Sequence, residues 1–463
     1  MYKCDVLYIH STKYPQKDIL RYNFVPMGLI GILNQLKAHG VNVIAINHAI
    51  EKEVDPDFNI PDALKNFDYK ILLTDLHWYE HAYGAMYVVS ESKKIYPDRP
   101  TVIGGYTTTL YAEEILENFP DVDYTVTGDS ELPTEQLVDY LLGRSNQSLA
   151  SVPNIYFRQG NKILRSNATW VQTTLDDIDC VTTDMFLHEE HFRNISIANA
   201  SPGFQQQWVC VARGCKFNCI YCCGANKNMD ALFNRCNILL RSPARLAEDF
   251  IQVYKKGITH VSPSHDMQMF GKKYYDELFA AIQSHDIKGG LYLECFQLPT
   301  KAYIDAIAET FDTSKTVLAI SPISGNEKLR HENGKLFSND DFYDIVDYII
   351  SKNITLQLYY TLNPVGETRE QFYDTYFQIK FCHELYGLKG IYYQNVVLDP
   401  LAGIRDIDGT EPALNSFMDY YRYCQLPADD FTYTGYDSHC EVSYREKKRI
   451  FLETMGYDAS DYQ

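Results

Sequence analysis

Four cysteines fall within nine residues in the stretch VARGCKFNCIYCCGANK: Cys215, Cys219, Cys222 and Cys223. The first three follow a C-x3-C-x2-C spacing. Three thiolates in one short loop can hold three irons of a cubane cluster, and the fourth iron is then open to a small molecule. Two other chemistries compete. A structural zinc wants four ligands, and Cys210, Cys223, Cys236 or a histidine would have to complete the set. Cys222 and Cys223 could also be buried thiols, a common fate of free cysteine. Cys223 stands outside the three-thiol pattern. A fourth thiolate would block the iron that the small molecule needs, so Cys223 reads as a packing neighbour.

The elements around the loop place it. An apolar run, QWVCVA, precedes it, and the helical pattern RSPARLAEDFIQVYKKG follows. The cysteines therefore lie at the carboxyl end of a strand, where barrel-like enzymes keep their chemistry. ITHVSPSH, GGLYLEC, KTVLAIS, ITLQLYY and GIYYQNVVL read as later strands. Together they predict about six β/α units over 201–400, a partial (β/α)6 barrel.

Upstream, residues 1–145 predict a Rossmann-like parallel sheet, with strands at 4–10, 41–47, within YKILLTDLHW, and at 100–105 and 122–128. Ligands of such sheets sit beyond the carboxyl ends of the strands. The loops His10–Tyr14, Thr74–Trp78, Gly104–Thr107 and Gly128–Glu131 are the ones to watch. Residues 146–200 read as a linker with a small hairpin around Gln159–Asn161, and 401–463 as a Tyr- and Asp-rich C-terminal extension. The fold class expected is α/β throughout.

Composition narrows the partners. The 463 residues carry 61 acids against 42 bases, a formal charge of −19, with no basic block of the kind nucleic acid demands. No segment reaches the ~18 apolar residues of a membrane span. The N-terminus shows no apolar stretch typical of a secretory signal, so a cytoplasmic protein is expected. In a reducing compartment, twelve cysteines point to metal or redox chemistry rather than disulfides. A small molecule or a peptide is the expected substrate. The 37 tyrosines read as compositional bias.

The cysteine spacing, with Tyr221 before the last cysteine, resembles the cluster motif of radical S-adenosylmethionine (SAM) enzymes. ARGCKFNCIYC, RSPARLAEDFIQVYKKGITHVSPSHD, AISPISGNEKLRHENGK and NPVGETREQF carry the resemblance over most of 205–400. It implies a 4Fe–4S cluster on Cys215, Cys219 and Cys222, with SAM on the open iron. It also implies SAM contacts from Tyr221, Glu294, Ser321 and Gly366, and an external flavodoxin- or ferredoxin-like electron donor. Tyr359 and Tyr360 are expected to line the substrate pocket.

The front unit resembles the cobalamin-binding domain that often precedes such a barrel. VPMGLIGILNQLKAHGVNVIAIN, VIGGYTTT and VDYTVTGDSE are the matching pieces. The resemblance implies cobalamin near Thr74, His77, Trp78, Gly104, Gly105, Tyr106, Gly128, Asp129 and Glu131. One departure stands out. The family's Asp-x-His-x-x-Gly, whose histidine binds cobalt from below, is missing after the first strand, where the sequence is HSTKYPQKD. Asp75-x-His77 follows the third strand and has Glu80 where the glycine should be, so either His77 or Trp78 could sit beneath the ring. The implied activity is methylation of an unactivated carbon through a 5′-deoxyadenosyl radical and methylcobalamin. The alternatives are a non-methylating radical rearrangement, cyclisation, epimerisation or dehydrogenation, or a non-catalytic iron–sulfur or zinc protein.

Overall fold

The structure is a computed structural model and describes residues 2–18, 20, 23–192, 204–394, 399–406, 414–426 and 440–457. The chain divides into two compact units. One comprises Met1–Gln205, Asn228–Leu239 and Leu414–Asp430, and the other Gln206–Lys227, Leu240–Ala413 and Phe431–Gln463.

The first unit is built on a seven-stranded sheet of β1 (Tyr2–His10), β2 (Val43–Asn47), β3 (Phe67–Asp75), β4 (Thr101–Gly104), β5 (Tyr124–Val126), β6 (Ile155–Gln159) and β7 (Lys162–Arg165), in the order β2-β1-β3-β4-β5-β6-β7. The first five strands are parallel. Val6, Leu7, Tyr8 and Ile9 are all fully buried, as a parallel strand covered on both faces requires. The strand order reverses beside β1, so the crevice at the carboxyl ends of β1 and β3 is the topological switch point. The hairpin assigned to a linker is instead part of this sheet, because β6 pairs antiparallel with β5 and β7 with β6. Val152, Ile155 and Phe157 are buried in the same core as β1 and β3, which is why the segment cannot stand free.

The second unit carries a six-stranded, all-parallel sheet of β8 (Gln206–Val209), β11 (His260–Pro263), β12 (Gly290–Cys295), β13 (Val317–Ile323), β14 (Thr355–Thr361) and β15 (Ile391–Gln394). Two dipeptide strands, β9 (Ala212–Arg213) and β10 (Leu239–Leu240), lie between β8 and β11 in the chain. Each strand neighbours its predecessor, in the order β15-β14-β13-β12-β11-β8, as expected of a partial barrel. Helix Pro243–Lys255 starts where the sequence marks it, with Pro243 in the first turn and Ser242 Oγ accepting from Arg245 N–H.

Among its described residues, the C-terminal extension holds two α-helices that the sequence did not announce. Phe417–Tyr423 belongs to the first unit and Tyr444–Met455 to the second. The first is fixed by aromatic packing of Tyr79 on Tyr420, Phe119 on Phe417 and Tyr83 on Tyr421, with ring centroids 4.7, 5.6 and 5.3 Å apart. Part of the tyrosine excess is thus structural.

Candidate cofactor sites

The cysteine loop leaves β8 and is tied down by its own polar atoms. Asn226 N–H donates to Phe217 O at 2.9 Å, Asn226 Nδ2 to Cys215 O at 2.9 Å, and Lys227 N–H to Asn218 Oδ1 at 2.9 Å. Cys222 N–H donates to Cys219 O at 3.2 Å, and Phe217 N–H points to Cys215 Sγ at 3.5 Å. Cys215, Cys219 and Cys222 are all half-buried. Burial raises the Cys215 thiol and pushes Cys222 up to about 12, with nearby Asp399 adding to the latter. Burial also holds the Tyr221 phenol protonated, beside Cys219 and Cys222.

Among the described residues, His10, Asp75 and His81 offer three ligand atoms within 4.8 Å of one another.

Strand register assigns the residues facing the barrel interior. Glu294 on β12 sits beside Ala319 on β13, which sits beside Gln357 on β14. Alternation then puts Tyr292, Glu294, Gln357 and Tyr359 on one face, with Tyr392 paired to Tyr359, while Ser321 falls in the irregular register between Ile320 and Ile323. Glu294 is open to solvent although surrounded by protein atoms, as a side chain in an internal cleft is, and that setting raises its carboxyl despite nearby Lys335. The Tyr292 and Tyr359 hydroxyls lie 3.3 Å apart, Tyr359 donates to Gln357 Oε1 at 3.1 Å, and Tyr359 stacks on Tyr392 at 4.8 Å. Tyr360 does not join them. It points to the opposite face and donates to Gln378 at 3.0 Å, because its neighbour Tyr359 takes the interior.

Lys335 went unnoticed in the sequence. It is 6% exposed and donates to Phe296 O at 2.7 Å. Burial lowers its pKa, against the opposing pull of Cys219, Cys295, Glu294 and Asp266. Its neighbour Gly334 lies against Cys219, where a Cβ would be 4.0 Å from Sγ, so the Lys335 amine belongs to the surroundings of the cysteine loop. Only its place in HENGKLF, after a late strand, could have drawn attention to it. Gly366, in the turn after β14, has φ +73° and open space where a side chain would start.

In the first unit, the switch point carries a buried polar cluster. Asp75 Oδ1 accepts from the Tyr8 hydroxyl at 2.7 Å and pairs with His10 Nδ1 at 2.8 Å. Burial pushes Asp75 up, but the His10 charge, the His10 and Tyr8 hydrogen bonds and nearby His81 outweigh it and bring it down to about 2. Above the cluster, Trp78 lies edge-on to His10 at 6.2 Å, and His77 lies edge-on to Trp78 and to Tyr106, each at 4.7 Å. Burial lowers His77 to about 4, leaving it a neutral imidazole at neutral pH.

The other expected cobalamin residues divide into two groups. Gly104 and Gly105 end β4, and Tyr106 opens helix Tyr106–Asn118. Gly105 has φ +118°, and a Cβ there would meet His77 N and Leu76 C at 2.7 Å, so this turn requires glycine. Gly128 has φ +63°. Thr74, Asp129 and Glu131 are buried. The Thr74 hydroxyl donates to Ile9 O at 2.8 Å. Asp129 Oδ2 accepts from Gln172 N–H at 2.8 Å and pairs with Arg235. These side chains shape the loops from within.

Comparisons with known proteins agree with this layout. Residues 20–138 match the B12 binding domain family. The fold aligns with a structure of the radical S-adenosylmethionine methyltransferase TsrM from Kitasatospora setae, solved with cobalamin and a 4Fe–4S cluster, at TM-score 0.65 and 12% identity, over 87% of this chain and 77% of that one. It aligns with the cobalamin-dependent S-adenosylmethionine radical enzyme OxsB at TM-score 0.58 and 9% identity, over 99% of this chain and 63% of that one. The chain thus matches a B12 binding domain over residues 20–138 and shares the fold of these two enzymes.

Two curated relatives are more distant in extent. The uncharacterized methyltransferase PH0819 of Pyrococcus horikoshii is 24% identical over 140 residues, 30% of this chain and 28% of that protein. The anaerobic magnesium-protoporphyrin IX monomethyl ester cyclase of Rubrivivax gelatinosus is 25% identical over 226 residues, 47% of this chain and 38% of that protein. The chain thus spans well under half the length of either. Among the described residues no helix is long and apolar enough to cross a membrane.

Proposed function

We propose that this chain is a cobalamin-dependent radical SAM enzyme that methylates an unactivated carbon of a small molecule or peptide. The observation that carries the reading is the triad Cys215, Cys219 and Cys222 in one loop beyond the carboxyl end of β8, in a chain that also matches a B12 binding domain. Cys215, Cys219 and Cys222 would hold the cluster, and the first unit's switch-point loops the corrin. When bound, cluster and SAM supply a 5′-deoxyadenosyl radical, and cobalamin supplies a transferable methyl group.

The chain's own residues bind, orient and exclude. Lys335 is a buried amine suited to an anionic group of the cosubstrate, and Glu294 an acceptor on the neighbouring interior face. Ser321 lies in the irregular stretch of β13 after Ile320, and Gly366 leaves room for a flat base beside the backbone. Tyr292, Tyr359 and Tyr392 line the interior with rings and shield it from water. Beneath the corrin, Trp78 or the neutral His77 would occupy the lower face; a tryptophan there excludes water from the metal. A flavodoxin- or ferredoxin-like protein would supply the electron.

The test is product analysis on anaerobically reconstituted enzyme with cobalamin, SAM and reductant. Methyl transfer yields S-adenosylhomocysteine together with 5′-deoxyadenosine once substrate is supplied. The second reading, a non-methylating radical reaction, finds support in the partial match to a cyclase and yields 5′-deoxyadenosine alone.

A further inference from the structure

The turn after β14 is held from outside the barrel by the C-terminal segment. Lys447, on helix Tyr444–Met455, is fully buried, and so is its partner Glu367. Lys447 Nζ donates to Leu362 O at 2.7 Å and to the Glu367 carboxylate, so one ammonium grips both ends of the turn 362–367 that contains Gly366.

Three further contacts come from the same segment. Glu441 N–H donates to Glu367 O at 3.1 Å, Arg369 N–H to Glu441 Oε2 at 2.8 Å, and Cys440 Sγ to Pro364 O at 3.4 Å. On the barrel side, Leu362 N–H donates to Gln394 O at 2.8 Å on β15. The turn is thus fixed between the barrel edge and a helix from some eighty residues further along the chain. A buried ammonium–carboxylate pair is costly to desolvate and adds little net stability, so its best-attested use is to specify one geometry.

We propose that Lys447 is a positioning residue of the SAM site. By clamping the turn 362–367 it holds the backbone at Gly366 where the adenine moiety of the cosubstrate is to lie. The inference rests on the cofactor reading above. It gives the C-terminal extension a role in cosubstrate affinity, with no contact of its own to the ligand. Gly366, with open space at its α-carbon and φ +73°, can present backbone to a flat base only while the turn keeps its shape.

The test is equilibrium dialysis on the full chain, reconstituted anaerobically to full iron content, with three probes: SAM, S-adenosylhomocysteine and methionine. Lys447→Met should weaken SAM and S-adenosylhomocysteine by the same factor, about tenfold or more, and leave methionine, which lacks the base, within about threefold. Lys447→Arg, which keeps charge and reach, should retain affinity within about threefold of wild type. Wild-type SAM affinity in Lys447→Met, or a matching loss of methionine, overturns the proposal. If Lys447→Met does not fold, Glu367→Gln keeps the side chain's size but removes the carboxylate that Lys447 grips. A drop of about threefold for the two adenosyl probes then supports the clamp, and unchanged affinity overturns it. Failure of iron-loaded wild type to bind SAM would instead contradict the cofactor reading itself.

Discussion

The backbone N–H of Cys223 donates to Asp399 Oδ2 across 3.2 Å, joining the fourth cysteine of the loop to a carboxylate from the segment after β15. Burial and the Asp399 charge keep the Cys223 thiol protonated. Burial raises Asp399 itself to about 6, and the Cys223 N–H only partly offsets this. The same burial and carboxylate raise Cys222, so what sets Cys223 apart is its place outside the C-x3-C-x2-C spacing rather than its acidity.

The two kinds of cysteine should therefore separate by substitution. Cys219→Ala should lose most of the iron and the broad cluster absorption after anaerobic reconstitution. Cys223→Ala should keep both. Equal iron in the two variants would remove Cys219 from the ligand set.

Gly105 sits where any side chain collides with backbone. Gly105→Ala should lower cobalamin affinity by about tenfold or more, measured by absorption titration. It should also cost roughly 1–3 kcal/mol of stability through strain at a left-handed position. His77→Phe, which keeps a ring against Trp78 and Tyr106, should leave the fold intact. A shift in the bound cobalamin spectrum in that variant alone would identify His77, rather than Trp78, as the lower-face residue.

Asp75 makes acid stability measurable. Its folded pKa of about 2 lies below its ordinary 3.8, so its contribution is complete above about pH 4 and is lost as pH falls towards 2. Asp75→Asn should destabilise the protein at pH 7 by roughly 1–3 kcal/mol, since Tyr8 and His10 lose a charged acceptor. It should also flatten the fall in stability between about pH 4 and 2, read as urea midpoints, to which Asp75 contributes. A variant with an unchanged slope would show that other groups carry the acid response.

Arg241 and Asp249 form a fully buried ion pair in the second unit, with Arg241 Nε 2.8 Å from Asp249 Oδ2. Asp249 Oδ1 also pairs with Arg245 Nη1 at 3.0 Å, so removing Arg241 leaves the buried carboxylate with one of its two cations. Arg241→Met should cost less than the ~3–5 kcal/mol of a fully broken buried pair in denaturant unfolding, and Arg241→Met with Arg245→Met should approach it.

The framework was legible because its signals are local. Strand and helix periods, the Ser242–Pro243 start and the cysteine spacing each depend on a few adjacent residues. The hairpin's place was not legible, because β6 joins the sheet through pairing with β5 and nothing within IYFRQ encodes a partner. Lys335 and Lys447 were missed for the same reason. A lysine reads as surface until distant anions surround it, here Glu294 with Asp266 and, for Lys447, Glu367. The helix Phe417–Tyr423 was hidden by its tyrosines, which look like biased composition until Tyr79, Tyr83 and Phe119 supply the other half of the packing.

The most direct test is electron paramagnetic resonance of the reduced, iron-loaded protein with and without SAM, alongside iron and zinc quantification. Four irons per chain and a cluster signal that shifts when SAM is added are the predicted results. A zinc-only protein, or a full cluster whose signal ignores SAM, would contradict an iron left open for the cosubstrate.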